Sequence, residues 1–312
     1  MILQLKRLNK SFDKAVLKDV DLEVAQGEII SILGKSGSGK STLLNIIAGF
    51  ENADSGSLDI NGQIMFNKKQ NIEPQNRNIG FVFQNYALFP HLNVKDNLLF
   101  GVKNKKDKML VQELLELVDL TGYEKKYPHE LSGGEQQRIS MARVLATNPD
   151  IILLDEPFSS VDTLLKTQIE KDLLNLIKKT NKTAIFVTHD PKEAMAISDK
   201  IAFIDDGEII QYDTPQNIYY QPQSKVLASF FGIANYIDDK CYRLNQISLH
   251  KEEGLYKASL NYAIFRGEYY ELHIQVSVDE KQYPFIVFDY EGFHTEEKFY
   301  ISLDLKHNNG LQ

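Results

Sequence analysis

The sequence predicts an α/β protein in which a parallel sheet with a helical insertion is followed by a small β domain. Two short apolar runs, residues 151–154 and 183–187, are typical of strands buried on both faces of a sheet. Residues 164–179 lie between them and have helical periodicity, and alternation of this kind is typical of parallel sheets. After Gly232 the helical signals end, and aromatic and β-branched residues alternate with charged ones, as in antiparallel strands.

The first part of the chain alternates strands and turns. Residues 27–33 form an apolar run that ends at a glycine, and residues 40–49 follow with apolar positions at helical spacing and a terminal glycine. The dipeptide Asn61-Gly62 predicts the turn of a β-hairpin, and residues 79–83 predict another strand. The order strand, glycine-rich loop, helix is therefore expected near residue 35.

The length of 312 residues predicts two domains, or one large domain with an appendage, because single cores stop growing near ~250–300 residues. Residues 1–232 are expected to form the larger domain, with a helical insertion at about residues 85–148. Residues 233–312 are expected to form a small β-rich domain that supports regulation or dimerisation.

Composition sets limits on function. Hydrophobic residues make up 43% of the chain and the formal net charge is −8, which predicts a globular protein that does not bind nucleic acid through a basic surface. Cys241 is the only cysteine, so no internal disulfide is possible. The chain starts without the apolar core of a secretory signal, and no apolar run approaches the ~18–20 residues of a membrane span. We therefore expect any membrane association to depend on a partner.

A phosphate-binding loop is the strongest local signal. The segment Gly34-Lys35-Ser36-Gly37-Ser38-Gly39-Lys40-Ser41 matches G-x-x-x-x-G-K-[ST] in the strand, loop and helix context that the motif requires. Small residues let successive backbone N–H groups converge on phosphate oxygens at a helix start. Lys40 is expected to neutralise the β- and γ-phosphates, and the Ser41 hydroxyl to ligate Mg²⁺.

Two acidic residues follow a buried strand. Asp155 and Glu156 end the apolar run 151–154, at the strand end where open α/β sheets place their ligands. Asp155 is a candidate Mg²⁺ ligand, and Glu156 a candidate base for the attacking water. By itself such a pair is as often a solvated strand end, but beside a phosphate-binding loop the functional interpretation is favoured.

A second glycine-containing segment opens another predicted helix. Ser132, Gly133 and Gly134 precede the helical run that continues through Gln136. This pattern predicts either an anion-binding helix start or an ordinary helix N-cap, and the residues alone favour neither.

Together these motifs resemble those of the ATP-binding cassette (ABC) family. The loop from Gly34 to Ser41 resembles its Walker A motif, residues 151–156 resemble its Walker B motif, and residues 131–136 resemble its signature motif. The resemblance extends to Gln84 as the Q-loop glutamine, Asp162 in the D-loop and His189 as the switch histidine. It implies a P-loop NTPase sheet with an antiparallel β subdomain and a helical insertion, followed by a small C-terminal β-barrel-like (TOBE-like) domain. The residues then expected around ATP are Phe12 (stacking on adenine), Gly34, Lys35, Ser36, Gly37, Ser38, Gly39, Lys40, Ser41, Thr42, Ser132, Gly133, Gly134, Gln136 and Asp162. The expected catalytic residues are Glu156, His189 and Gln84, and the expected Mg²⁺ ligands are Ser41, Gln84 and Asp155.

The resemblance also implies partners and a location. In this family, the signature motif closes over ATP held by a second subunit, so a head-to-tail dimer of two copies is expected. The importer branch, which carries sugars, ferric iron, polyamines, sulfate or molybdate, implies separate transmembrane permease subunits, a substrate-binding protein and a place on the cytoplasmic face of the cell membrane. Ferric iron or polyamine is the favoured cargo. An exporter ATPase and a soluble, non-transport ATPase of the same family are the alternatives.

Overall fold

The computed structural model describes residues 1–83, 87–102, 107–158, 163–295 and 298–304. The strands are β1 (Leu3–Ser11), β2 (Ala15–Val24), β3 (Ile29–Leu33), β4 (Ser55–Ile60), β5 (Gln63–Asn67), β6 (Gln70–Asn71), β7 (Ile79–Val82), β8 (Ile151–Asp155), β9 (Thr183–Thr188), β10 (Lys200–Asp205), β11 (Glu208–Asp213), β12 (Asn235–Ile237), β13 (Lys240–Tyr242), β14 (Ile247–His250), β15 (Tyr256–Phe265), β16 (Tyr270–Val278), β17 (Lys281–Asp289) and β18 (Lys298–Leu303). The α-helices are α1 (Lys40–Ala48), α2 (Val94–Leu98), α3 (Lys108–Leu117), α4 (Gly133–Ala146), α5 (Thr163–Thr180), α6 (Pro191–Ile197), α7 (Pro215–Tyr220) and α8 (Lys225–Phe230).

A six-stranded sheet of order β11-β10-β3-β9-β8-β7 forms the centre of the first part of the chain. Its strands pair in parallel from β7 to β10, and β11 closes one edge antiparallel to β10. Register aligns the carboxyl ends of three strands, because Leu33 pairs with Thr188 and Asp155 pairs with Val187. The segments that follow β3, β8 and β9 therefore emerge side by side, where open α/β sheets bind ligands.

The two faces of this sheet belong to two cores, because successive side chains on a strand point to opposite faces. Each fully buried Leu or Ile contributes about 1.5–3 kcal/mol before the entropy cost of ordering it is subtracted. On the face covered by α1, the core includes Ile30, Ile32, Leu43, Leu44, Ile47, Leu153, Ile185 and Val187. On the face covered by α4 and α5, it includes Ile29, Ile139, Ile152, Leu154, Leu173, Ile177, Ala184 and Phe186.

An antiparallel sheet of order β2-β1-β4-β5-β6 accompanies the central sheet. The predicted hairpin is present as β4 and β5, and its turn residues Asn61 and Gly62 have φ values of 54° and 75°. Asn and Gly tolerate this left-handed conformation better than other residues, which is why the dipeptide was a reliable signal. The helical insertion is present as α2, α3 and α4.

The chain divides into two compact units, residues 1–215 and 216–312. The second unit holds α8, the small β12-β13 ladder and a five-stranded antiparallel sheet of order β14-β18-β15-β16-β17 around its own apolar core. The division lies before α8, whereas the sequence-based boundary lay after it, at 232/233. The predicted fold class, an α/β sheet with an antiparallel β subdomain, a helical insertion and a β-rich C-terminal part, is confirmed.

Arg243 explains why α8 belongs with the second unit. This fully buried arginine donates from Nε to the Tyr219 carbonyl at 2.8 Å and from Nη1 to the Ala228 carbonyl at 2.9 Å. It therefore connects the ends of α7 and α8 to the β-rich part. Across the part of the chain that the structure describes, no helix combines the length and the apolar character needed to cross a membrane.

Candidate active site

The loop between β3 and α1 has the tight backbone that its glycines predict. A Cβ atom on Gly34 would lie 2.1 Å from the Ile204 carbonyl oxygen, and one on Gly39 would lie 2.8 Å from the Val16 carbonyl oxygen. Gly39 also has a φ of 102°, which L side chains rarely adopt. Larger residues at Gly34 and Gly39 would force the loop away from β10 and β2, respectively.

Lys40 folds back over this loop from the first turn of α1. Its Nζ donates to the carbonyls of Gly34 at 2.9 Å and Lys35 at 2.8 Å, and only 5% of the residue is exposed. Burial lowers the pKa of the Lys40 ammonium, against the opposing influence of the nearby carboxylates of Glu156 and Asp155. Among the described residues Lys40 makes no ion pair, so its charge is available to an anion in the loop.

The Ser41 hydroxyl and the Asp155 carboxylate meet at the edge of the loop, with the Ser41 Oγ donating to the Asp155 Oδ1 at 3.4 Å. Burial raises the pKa of Asp155, and the negative charge of Glu156 adds to this effect, while the Ser41 hydrogen bond and Lys40 oppose it. The Ser41 hydroxyl and the Asp155 carboxylate are oxygen ligands of the kind that a hard divalent cation such as Mg²⁺ prefers. The raised pKa of Asp155 shows that nearby positive charge does not fully offset its negative charge.

Glu156 and His189 face each other after β8 and β9. The Glu156 Oε2 lies 3.3 Å from the His189 Nδ1. Glu156 has a φ of 44°, and its N–H donates to the Val187 carbonyl at 3.0 Å. A left-handed φ in a glutamate costs about 1–3 kcal/mol and persists where the surrounding structure maintains it, which is common at functional sites.

One cleft of about 600 Å³ brings most of the predicted site residues together. Its lining consists of Phe12, Val16, Ser36, Gly37, Gly39, Lys40, Ser41, Thr42, Glu156 and His189. The Phe12 ring is 58% exposed at one side of the cleft, and the Lys10 Nζ lies 4.6 Å from its centroid. Ser38 is buried beneath the loop, and its Oγ has no hydrogen-bond partner in the described part of the chain. Lys35 is exposed and does not line the cleft.

Val16 lines the cleft but was not among the residues predicted from the sequence. It lies at the start of β2, where a partly buried branched residue fits the strand pattern without any sign of a ligand. No local signal could have identified it, because its place beside Phe12 in the cleft depends on how β2 packs against the loop.

The signature-like segment does not join this cleft. Ser132 caps α4 by accepting from the Glu135 N–H, and the Glu135 carboxylate accepts from the Ser132 N–H at 2.7 Å. The Gln136 side-chain amide donates to the Pro128 and Leu131 carbonyls at 3.0 and 3.2 Å. Ser132, Gly133 and Gly134 border a separate cavity of about 490 Å³ between α3, α4 and α5. Gln84 and Asp162 lie outside the described residues.

Comparisons with known proteins agree with this geometry. The family model described as "ABC transporter" matches residues 17–159. The ferric-ion import ATP-binding protein FbpC of Haemophilus influenzae strain 86-028NP is 42% identical over 237 residues, which cover 74% of this chain and 68% of that protein. FbpC 2 of H. influenzae strain ATCC 51907 is also 42% identical, over 74% of this chain and 67% of that protein.

Two solved structures are similar as well. The ATP-binding cassette MJ0796, as a dimer in a post-hydrolysis state bound to ADP and Pi, has a TM-score of 0.57 and 32% identity, covering 69% of this chain and 99% of that one. The structure of cbiO1 from Clostridium perfringens, part of the ABC transporter complex cbiONQ, has a TM-score of 0.64 and 28% identity, covering 70% of this chain and 90% of that one.

The chain belongs to the ATP-binding cassette family, as its motifs predicted. ATP is accordingly its nucleotide, and ATP hydrolysis its reaction.

Proposed function

We propose that the chain energises an importer of ferric iron from the cytoplasmic face of the cell membrane, as a dimer bound to transmembrane permease subunits that receive cargo from a substrate-binding protein. The observation that carries this proposal is the cleft that joins the loop, Lys40, Glu156 and His189 in a chain 42% identical to ferric-ion import ATP-binding proteins. The function of those relatives, ferric-ion import, is what favours iron over polyamine as cargo and import over export.

Within the cleft, each residue has a distinct part in binding ATP. Phe12 offers an exposed ring on which adenine stacks. The loop N–H groups and Lys40 hold the β- and γ-phosphates, and this needs little rearrangement because Lys40 is already folded over the loop. Phosphoryl transfer depends mainly on such positioning and charge stabilisation.

Glu156 and His189 act on the attacking water and the γ-phosphate. The Glu156 carboxylate accepts a proton from the water, and the His189 ring contacts the γ-phosphate while remaining within 3.3 Å of Glu156. His189 has the freedom to do so because it lines the cleft and 61% of its side chain is exposed.

Ser41 and Asp155, together with Gln84, would hold Mg²⁺. When bound, Mg²⁺ supplies positive charge that offsets the charge on the phosphate oxygens. The raised pKa of Asp155 supports this assignment, because a cation beside that carboxylate would relieve the unfavourable charge that burial creates.

The site is completed by a second copy of the chain. Ser132, Gly133 and Gly134 begin a helix, have small side chains and lie outside the cleft of their own subunit, as expected of residues that contact ATP held by a partner. ATP would then join two subunits, and hydrolysis would release them.

Two experiments test the proposal. Purified Glu156→Gln should bind ATP but hydrolyse it at least ~100-fold more slowly, because the carboxylate acts mainly in the transition state. A wild-type rate in this variant would show that Glu156 is not the base.

Cargo is tested by uptake of radiolabelled Fe(III) in cells of the source organism that lack the chain. The wild-type gene should restore uptake, Glu156→Gln should not, and uptake of a radiolabelled polyamine should remain unchanged throughout. Restoration of polyamine uptake alone would contradict the iron assignment and leave the ATPase assignment intact.

A further inference from the structure

A lysine outside the cleft contacts the segment that follows His189 at two points. Lys166 lies in the first turn of α5, and its Nζ is 3.0 Å from the Asp190 Oδ2 and 2.5 Å from the Glu193 Oε1. Asp190 directly follows His189, and Glu193 lies one helical turn further along. A single ammonium therefore connects α5 to two points in the chain just after His189.

Glu193 extends this connection to the residue before His189. Its second carboxylate oxygen bonds the Thr188 hydroxyl, and the Asp190 N–H donates to the same hydroxyl at 3.0 Å. The Asp190 Oδ1 accepts from the Lys192 N–H at 2.8 Å and caps α6. His189 is thus held between two residues whose positions both depend on the carboxylates that Lys166 neutralises.

Removing Lys166 would leave like charges facing each other. Glu193 is buried and Asp190 only partly exposed, and Glu170, one turn along α5 from Lys166, adds a third carboxylate nearby. Burial and the negative charge of Glu193 raise the pKa of Glu170. The pKa of Lys166 is also raised, because the lowering caused by burial is outweighed by the hydrogen bonds and charges of Glu193 and Asp190 together. Repulsion among the three carboxylates would push Asp190 and the His189 backbone out of place.

We propose that Lys166 is a positioning residue that sets the place of His189 against Glu156 and the γ-phosphate, by joining α5 to the 188–193 segment. The inference rests on the proposed function, because it assumes that His189 takes part in hydrolysis. The proposed role of Lys166 also connects two predicted parts of the site, the D-loop and His189, because α5 begins at Thr163, immediately after the D-loop residue Asp162 in the sequence.

The test compares purified variants in ATP hydrolysis and ATP binding. Lys166→Met should lower kcat at least ~10-fold while the KM for ATP changes less than ~2-fold, because misplacing one catalytic contact affects the transition state more than ground-state binding. Lys166→Arg should retain most activity, since a guanidinium can bond both carboxylates. Lys171→Met is the matched control, because Lys171 is exposed on the same helix, and it should behave as wild type.

A double-mutant cycle with His189→Ala separates positioning from a general structural effect. If Lys166 acts through His189, Lys166→Met should slow the His189→Ala protein no further, so the two losses should not multiply. Multiplying losses, or wild-type kcat in Lys166→Met, would overturn the proposal.

Two further outcomes are distinguishable. Full activity in His189→Ala would contradict the proposed role of His189, and with it the basis of this inference. If Lys166→Met does not fold, Asp190→Asn replaces it, because Asn still accepts from the Lys192 N–H while losing the ion pair. Asp190→Asn should show the same loss of kcat, and wild-type kcat in that folded variant would overturn the proposal.

Discussion

At the scale of residues, Lys40 is held in a fixed position over the loop between β3 and α1. Its ammonium is buried and bonded to two loop carbonyls, so the entropy of ordering the side chain is already spent in the folded chain. Lys35, which lies in the same loop, is exposed. The two lysines therefore form a matched pair for testing the loop.

We expect Lys40→Ala to weaken ATP binding by at least ~10-fold and to reduce turnover as well, because hydrogen bonds from a charged donor contribute about 1.5–3 kcal/mol. Lys35→Ala should change the Kd for ATP less than ~2-fold, since an exposed charge is largely screened. Titration with a fluorescent ATP analogue measures both. Equal losses in the two variants would mean that the loop does not hold phosphate as proposed.

Asp155 carries a negative charge that its surroundings in the folded chain disfavour. Its folded pKa is raised, so the folded chain binds a proton more readily than the unfolded chain. Stability without a cation should accordingly fall as pH rises from the unfolded pKa of Asp through the folded pKa.

Replacing Asp155 by Asn removes that charge while keeping an acceptor for the Ser41 hydroxyl. The melting temperature of the nucleotide-free, metal-free chain should rise, because the folded state no longer contains a carboxylate whose charge is disfavoured by burial. Mg²⁺-dependent ATP hydrolysis should be lost at the same time. Calorimetry and a phosphate-release assay check the two halves, and a lower melting temperature would contradict our account of the Asp155 charge.

At the scale of elements, register and helix ends decide where the chemistry lies. Hydrogen bonding of β3, β8 and β9 places their carboxyl ends together, so residues far apart in sequence meet in one cleft. Arg243 performs a similar role in the second unit, where it binds the carbonyls at the ends of α7 and α8. Truncated chains can therefore test whether α7 and α8 need Arg243 to stay folded.

A chain ending at Pro215 should fold and bind ATP with wild-type affinity, because the central sheet, the loop and the helical insertion are all complete by then. A chain ending at Gly232 should also bind ATP, but residues 216–232 should be cleaved rapidly by protease because Arg243 is missing. Limited proteolysis followed by mass spectrometry, with the full-length chain as reference, tests this difference. A folded 1–215 chain without ATP binding would place part of the site in the second unit, and protease resistance of residues 216–232 would contradict the role of Arg243.

At the scale of the whole molecule, the cleft of one chain forms half of the proposed composite site. Ser132, Gly133 and Gly134 are outside the cleft of their own chain, and the dimeric relative shows that such cassettes pair. Gly134 tolerates an Asp, because its Cβ would meet only the flexible end of Ile169 at 3.3 Å and an acid suits the first turn of a helix. The charge would instead oppose the phosphates of a partner's ATP.

Mixing inactive Lys40→Ala and Gly134→Asp chains should therefore restore activity, because one site of each mixed dimer has both an intact loop and an intact signature segment. The expected rate is roughly a quarter of wild type, if half of the dimers are mixed and their sites act independently. ATPase assays before and after mixing measure the gain, and each variant incubated with itself is the control. No gain, with mixed dimers verified by mass spectrometry, would contradict the head-to-tail arrangement.

The sequence by itself determined the elements whose signals are local. The loop from Gly34 to Ser41, the acidic pair after β8 and the Asn61-Gly62 turn could all be predicted, because each depends on conformational preferences of a few adjacent residues. Family membership followed from the order of these motifs along the chain.

Only the tertiary structure decided which of these groups meet and how. The 3.3 Å contact between Glu156 and His189, the Ser41 bond to Asp155, the neighbours of Lys166 and the anchoring of α8 by Arg243 all join separate elements. Such contacts depend on strand register and on the packing of helices against a sheet, which result from burying the whole core together. No pattern within a short window of sequence contains that information.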